Sequence, residues 1–154
     1  MRVTTKGRYA LRAVLRLAMD EKGKPISIRV LSETEDISAE FLEQIFFRLR
    51  KAGIISSTRG PGGGFRLDRQ LSDITVAEIF NAVGEEMHFA PCTKDDSQLD
   101  EPCDRQNFCH MHEFWEHTYE TFQRYFRTVT LDDLINARYP GCAIEKAAAT
   151  SAME

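Results

Sequence analysis

Between residues 60 and 64 the chain reads Gly-Pro-Gly-Gly-Gly, with Ile54-Ile55-Ser56-Ser57-Thr58 before it and Phe65-Arg66-Leu67-Asp68 after it. Four glycines and a proline in five residues cannot lie inside a helix or a strand. Both flanks have strand character, and Gly64–Asp68 alternates in polarity. The chain is therefore predicted to turn back on itself as a β-hairpin, Ile54–Thr58 against Gly64–Asp68. Its tip, Arg59-Gly60-Pro61-Gly62-Gly63, has no bulky side chain except Arg59. A plain hairpin turn needs fewer glycines than this. A loop that cradles nucleotide phosphates would end in Gly-Lys-Ser/Thr and open a helix, and this segment does neither. What it offers is backbone that can approach a phosphate or groove wall closely, with one guanidinium projecting from it.

The residues before the hairpin give it a context. Arg2, Lys6, Arg8, Arg12 and Arg16 precede any acid, as in an organelle transit peptide, but Arg12 and Arg16 would interrupt the apolar region of a secretory signal. Tyr9, Ala10, Val14, Leu17 and Ala18 recur at helical spacing and predict an amphipathic first helix. A loop at Gly23-Lys24-Pro25 leads to a short segment, Ile28 to Thr34, and Glu35-Asp36-Ile37 makes a tight connection. Ser38 then fits as N-cap of a helix whose Phe41, Leu42, Ile45, Phe46 and Leu49 form one apolar stripe. Arg48, Arg50 and Lys51 suit the negative end of that helix, and Gly53 suits its C′ position. Two short helices joined by a tight turn and followed by a Gly-rich hairpin describe a winged helix-turn-helix.

Charge agrees with this division. Residues 1–70 contain fourteen Lys or Arg against eight Asp or Glu, and residues 71–154 contain six against sixteen, so net charges of +6 and −10 hide within an overall −4. A basic first half suits a polyanionic partner that the second half would repel. Uneven solvation of the surface is the simpler alternative.

Downstream, Thr75-Val76-Ala77-Glu78 has the form of a capping box opening a helix to about Ala82, with Gly84 as its stop. Glu85 to about Glu101 is acidic and aperiodic and is read as loop. A long helix is expected to begin near Cys109, carrying Phe114, Trp115, Tyr119, Phe122, Tyr125 and Phe126 as a wide aromatic band. Thr130-Leu131-Asp132-Asp133 caps a last short helix, and the segment after Tyr139 reads as a flexible tail. A domain of this size cannot cover such a band alone, so the helix is expected to form the axis of a homodimer. Intramolecular burial is the alternative. A two-fold protein suits half-sites spaced by a helical turn of DNA.

No run approaches the roughly 18 apolar residues of a membrane span, and no export signal is evident, so a cytoplasmic, bacterial-type setting is expected. There the four cysteines favour metal binding over disulfides. Cys92, Cys103, Cys109 and His112 form C-x10-C-x5-C-x2-H. Thiolates with one imidazole suit zinc or an iron–sulfur cluster, and redox-active thiols remain a third reading. The wide spacing and the lack of a CxxC knuckle favour the cluster. Cys103 and Cys109 near His110 and His112 could also mimic a nucleophile–base pair. No oxyanion or substrate-pocket signal accompanies them, so neither an enzyme nor a small-molecule substrate is expected.

These segments together resemble the Rrf-two family of bacterial winged-helix regulators, the IscR/NsrR/RirA type. The likeness runs through Met1-Arg2-Val3-Thr4, Lys6-Gly7-Arg8-Tyr9-Ala10, Phe41-Leu42-Glu43-Gln44-Ile45-Phe46 and Arg48-Leu49-Arg50-Lys51-Ala52-Gly53. It is most specific at Ser56-Ser57-Thr58-Arg59-Gly60-Pro61-Gly62-Gly63-Gly64-Phe65 and extends to about residue 137. Within the family the IscR type is most similar. That resemblance implies a 2Fe–2S cluster, in preference to 4Fe–4S, on Cys92, Cys103, Cys109 and His112. It also implies contact with a double-stranded DNA operator by Ser38, Glu43 and Gln44 of the recognition helix and by Arg59, Gly60, Pro61 and Gly62 of the wing. Glu43 can accept from cytosine N4, and Gln44 can pair with adenine.

Three departures stand out. Glu40, on the DNA-facing side, replaces a small polar residue. The gap between the first two cysteines is ten residues where the family usually has five. Arg8 stands in the stretch where 4Fe–4S nitric-oxide sensors use an acidic cross-subunit ligand. His88, His110 and His117 are alternative ligands to His112, and Cys142 is read as a free thiol.

The sequence thus predicts a mainly α fold with a small β-hairpin wing. The expected divisions are a winged helix-turn-helix domain (1–84), a cluster-binding loop (85–112), a dimerisation helix with closing helix (109–137) and a flexible tail (138–154).

Overall fold

The computed structural model describes residues 3–20, 24–86, 88–90, 103 and 108–139. Helix α1 (Thr5–Ala18) starts at Thr4, whose side chain caps Gly7 N–H, and buries Gly7, Ala10, Ala13, Val14 and Leu17. Two small alanines on this face let α1 lie close against its neighbours. α2 (Ile28–Glu35) is capped by Ser27 and ends at Asp36, a non-glycine residue with φ 52° in the left-handed region. Asp is one of the few residues that tolerates this conformation. The turn from α2 to α3 can therefore be tight without a glycine.

α3 (Ala39–Lys51) has Ser38 as its N-cap, accepting from Phe41 N–H at 3.3 Å. Its buried stripe is Leu42, Ile45, Phe46 and Leu49. Gly53 follows at φ 70°, the left-handed C′ position expected of it. The hairpin is β1 (Ile55–Thr58) against β2 (Gly64–Leu67), antiparallel, with Ile55 opposite Leu67 and Thr58 opposite Gly64. Ile54, expected to begin the first strand, is instead a buried residue of the preceding turn.

Two contacts fix where the wing points. Phe65 meets Phe46 of α3 edge to face at 4.9 Å. On its other side it exchanges two backbone hydrogen bonds with Ile26, both 2.8 Å. A Cβ on Gly64 would come within 2.4 Å of the Ile26 backbone, so glycine is required for this close approach.

After a 3₁₀ turn at Leu71–Asp73, α4 (Val76–Val83) packs on the core through Ile79, Phe80 and Val83, and Gly84 ends it at φ 66°. α5 (His110–Thr128) and α6 (Leu131–Ile135) complete the described chain. The capping box foreseen at Thr75 is present, with Glu78, and a second pairs Thr130 with Asp133. These two helix starts lie side by side. Thr75 and Thr130 form an antiparallel bridge, with Val76 N–H to Val129 O and Leu131 N–H to Ile74 O, both 2.9 Å. Val129 and Leu131 are buried beside Ile74, so the far end of α5 is anchored to the helix-turn-helix core.

The near end is different. None of the nineteen residues of α5 is buried. Phe126 packs against Phe80 at 5.5 Å, whereas Phe114 and Phe122 of the aromatic band are exposed.

Carboxylates in both caps are held ionised. Burial pushes Glu78 up, but hydrogen bonds from Thr75 and Arg69 outweigh it and leave the group below its ordinary value of 4.5. At Asp133 the hydrogen bonds from Thr130 dominate and hold it below 3.8. A carboxyl lowered by folding stabilises the protein above its ordinary pKa, and the contribution disappears as pH falls through the lowered value. The acid limb of a stability–pH profile should therefore steepen below about pH 4.5, and E78Q/D133N should flatten it. Equilibrium denaturation from pH 7 to pH 3 checks this; identical acid limbs would assign the caps no electrostatic role.

Candidate nucleic-acid interface and cluster ligands

Burial of one face of α3 forces the opposite face outward. Ser38, Glu40, Glu43 and Gln44 are all exposed, as are Arg48, Arg50 and Lys51 further along. Beside them lies a surface hollow of about 730 Å³, lined by Glu40, Glu43, Gln44, Phe47, Arg48 and Lys51 among others. Ser38 Oγ accepts the Phe41 N–H, which leaves its own O–H to donate to a phosphate. Glu40, in the first turn of the helix, favours the helix dipole but opposes a phosphate.

The wing stands next to this surface. Arg50 Nη1 donates to Ser57 Oγ of β1 at 3.4 Å, linking helix to hairpin. At the tip Gly63 N–H closes a turn onto Gly60 O at 2.9 Å, and Gly60 and Gly62 have φ of 102° and 77°. Arg59, Gly60, Pro61 and Gly62 are exposed, and nothing lies within 4 Å of a Cβ built on Gly60 or Gly62. The tip is slim enough to enter a groove.

Arg12 pairs with Glu35, Arg29 with Glu33 and Arg69 with Glu78. Arg48, Arg50, Lys51, Arg59 and Arg66, on α3 or the hairpin, make no salt bridge among the described residues, and neither do Lys6, Arg8, Arg16, Lys24, Arg124 and Arg127 elsewhere.

Of the expected metal ligands, Cys109 and His112 lie together at the start of α5. Cys109 is the N-cap of α5 and is half-buried, with no side-chain capping bond. His112 lies on the first turn of α5. Its Nε2 is 3.6 Å from Glu116 one turn on. Its Nδ1 is buried without a hydrogen-bond partner among the described residues. A buried ring nitrogen of this kind loses its hydration uncompensated unless a ligand occupies it.

Cys103 is exposed, and Cys92 lies outside the described residues. Among the described residues no three His, Cys, Asp or Glu side chains are grouped to hold a metal. The donor types nonetheless fit an iron–sulfur cluster: the Cys103 and Cys109 thiols form no disulfide among the described residues, and an imidazole nitrogen is kept from water. Of the alternative histidines, His110 and His117 are exposed, while His88 stacks on Tyr119 at 5.5 Å. Phe89 packs on Trp115 and Phe122 of α5, so the start of the loop lies along the same helix. Cys142 lies outside the described residues.

Three contributors were not foreseen from the sequence. Phe47 is exposed on α3, a position that the periodicity could have signalled, since it falls outside the stripe of Leu42, Ile45, Phe46 and Leu49. Glu116 stands one turn beyond His112, a spacing visible in the sequence. Glu85, placed in the loop by its acidic surroundings, is buried at 6% exposure and accepts from Thr4 N–H at 2.7 Å and from the Thr4 hydroxyl. Its partner is 81 residues away, and nothing local announces it.

A short helix-turn-helix, a slim glycine wing and a cationic surface shared between them define a winged-helix DNA-binding protein. Comparison with known proteins narrows this. The Rrf2 family, described as iron-dependent transcriptional regulators, matches residues 3–137. The chain belongs to that family, and it is a DNA-binding transcriptional regulator of the Rrf2/IscR type rather than an enzyme. The HTH-type transcriptional regulator IscR of Photorhabdus laumondii is 38% identical over 136 residues, covering 88% of this chain and 80% of that protein. Among solved structures, T. potens IscR superposes with a TM-score of 0.68 at 28% identity, covering 89% of this chain and 88% of that one. CymR, the global cysteine regulator of B. subtilis, has a TM-score of 0.68 at 27% identity, over 89% of this chain and 98% of its own. Among the described residues no helix is long and apolar enough to cross a membrane.

Arg59 supplies a direct test of the wing. Arg59→Ala should weaken DNA binding at every sequence and reduce the slope of log K against log salt by about 0.9. A salt titration followed by fluorescence anisotropy reads both, and an unchanged slope would remove Arg59 from the interface.

Proposed function

We propose that the chain is a homodimeric transcriptional regulator whose operator affinity responds to a 2Fe–2S cluster on Cys92, Cys103, Cys109 and His112. The observation that carries this reading is the buried Nδ1 of His112, without a hydrogen-bond partner among the described residues, three residues after a thiol at the start of the same helix. The cluster, when bound, supplies an oxidisable, detachable group that registers iron–sulfur or redox status.

The chain's own residues do the rest. Glu116 beside Nε2 favours the ring orientation that leaves Nδ1 for a ligand. An imidazole ligand is released more readily than a thiolate, which suits a sensor. His88 and Phe89 against α5, and Glu85 against Thr4, connect the loop both to the long helix and to the first helix of the DNA-binding domain. On this reading residues 1–84 read DNA, 85–112 hold the cluster, 109–137 form the dimer axis with its closing helix, and 138–154 are a tail.

DNA contact is assigned to Ser38, Glu40, Glu43 and Gln44 of α3 and to Arg59, Gly60, Pro61 and Gly62 of the wing. The dimer is supported by α5 itself, which leaves Phe114 and Phe122 exposed along a helix anchored at its far end. An aromatic face of that kind is what a partner helix covers.

The anaerobically purified protein should show a 2Fe–2S absorption and resonance Raman signature, with two iron and two sulfide per chain, and His112→Ala should lose or alter it. Sedimentation should give twice the chain mass. A 4Fe–4S spectrum, a colourless zinc protein or a monomer would each contradict the corresponding part of the proposal.

A further inference from the structure

α3 carries two adjacent phenylalanines with opposite fates. Phe46 is fully buried, whereas Phe47 is 62% exposed, because the step of about 100° carries it off the stripe centred on Ile45 and Phe46. The outward ring shares a face with Glu40, Glu43 and Gln44 and lines the same hollow with them, Arg48 and Lys51. Long side chains on a helix lean toward its N-terminus, so Phe47 covers the turn that carries Glu43 and Gln44.

If that turn faces base edges, a phenyl ring displaces water from their donors and acceptors and returns no hydrogen bond. The apolar group that the major groove displays is the C5-methyl of thymine. Arg48 and Lys51, on the same face, have the charge to hold the flanking phosphates while the ring sits on that methyl.

We propose that Phe47 is a specificity-determining residue that packs on the C5-methyl of a thymine in each half-site, next to the bases read by Glu43 and Gln44. The inference rests on α3 being the recognition helix.

The full chain can select its preferred duplexes from a randomised library. Each thymine of the selected sequence is then replaced by deoxyuridine, which removes only the methyl. Wild-type protein is expected to lose about three- to tenfold in affinity at one thymine per half-site. F47A should bind the thymine and uracil duplexes alike, and F47L should retain part of the difference. Because the ring is exposed, both variants should keep the wild-type circular dichroism spectrum. Wild-type indifference to uracil at every thymine, or an undiminished uracil penalty in F47A, would overturn the proposal while leaving α3 in the groove. Q44A separates that outcome from a deeper failure. If it selects the wild-type sequence with unchanged affinity, α3 is not the recognition helix, and the role of Phe47 falls with it.

Discussion

The contact between Phe46 and Phe65 is the point on which the DNA-binding surface depends. Phe46 is fully buried, and Phe65, the second residue of β2, meets it at 4.9 Å. An aromatic pair of this kind adds about 0.5–1.5 kcal/mol beyond its burial, but its larger effect is geometric. It fixes the rotation of α3 about its own axis, so that Glu40, Glu43, Gln44 and Phe47 face outward, and it fixes the hairpin at a set angle to that helix. The two backbone bonds to Ile26 hold the other side of Phe65. α3 and the wing are thereby held against each other as one surface.

The second half of the molecule is attached to that surface at a defined place. The paired helix starts at Thr75 and Thr130 bind the C-terminal end of α5 to the core, and Glu85 binds the start of the loop to Thr4 at the head of α1. Gly7 has no Cβ, and one built there would lie 2.6 Å from the Glu85 carboxylate. The proposed ligands Cys109 and His112 stand at the opposite end of α5, away from the anchor. Order imposed there acts on a helix fixed to the core at its other end and contacted along its length by His88 and Phe89. That is the mechanical arrangement a sensor needs if it is to move or order a dimer axis without unfolding the domain it controls.

Much of this was legible because it is local. Ser38, Gly53, Gly84, Thr75 with Glu78, and Thr130 with Asp133 each signal their role within four residues, and Gly60-Pro61-Gly62-Gly63 could only be a tip. The buried stripe of α3 follows from helical periodicity. Long-range pairings were not legible. Nothing near Ile26 predicts its bridge to Phe65, and nothing near Glu85 predicts Thr4, because both depend on how distant elements pack. Phe47 lay between these cases: its place off the stripe gave the signal, but the apolar stripe drew attention inward. Of the site, the residues proposed to face DNA lie on the exposed face that helical periodicity gives α3, whereas the proposed ligands Cys92 and Cys103 fall in a stretch of sequence without periodicity.

The central claim is that the cysteine–histidine site and the DNA surface are coupled. The most direct measurement compares, without oxygen, the affinity of the wild-type chain and of C92A/C103A/C109A for a panel of selected operators. Coupling predicts a difference of about five- to 150-fold at one operator or more, the usual range for linked sites. Equal affinity at every operator would show that the winged helix binds DNA without regard to what the cysteines hold.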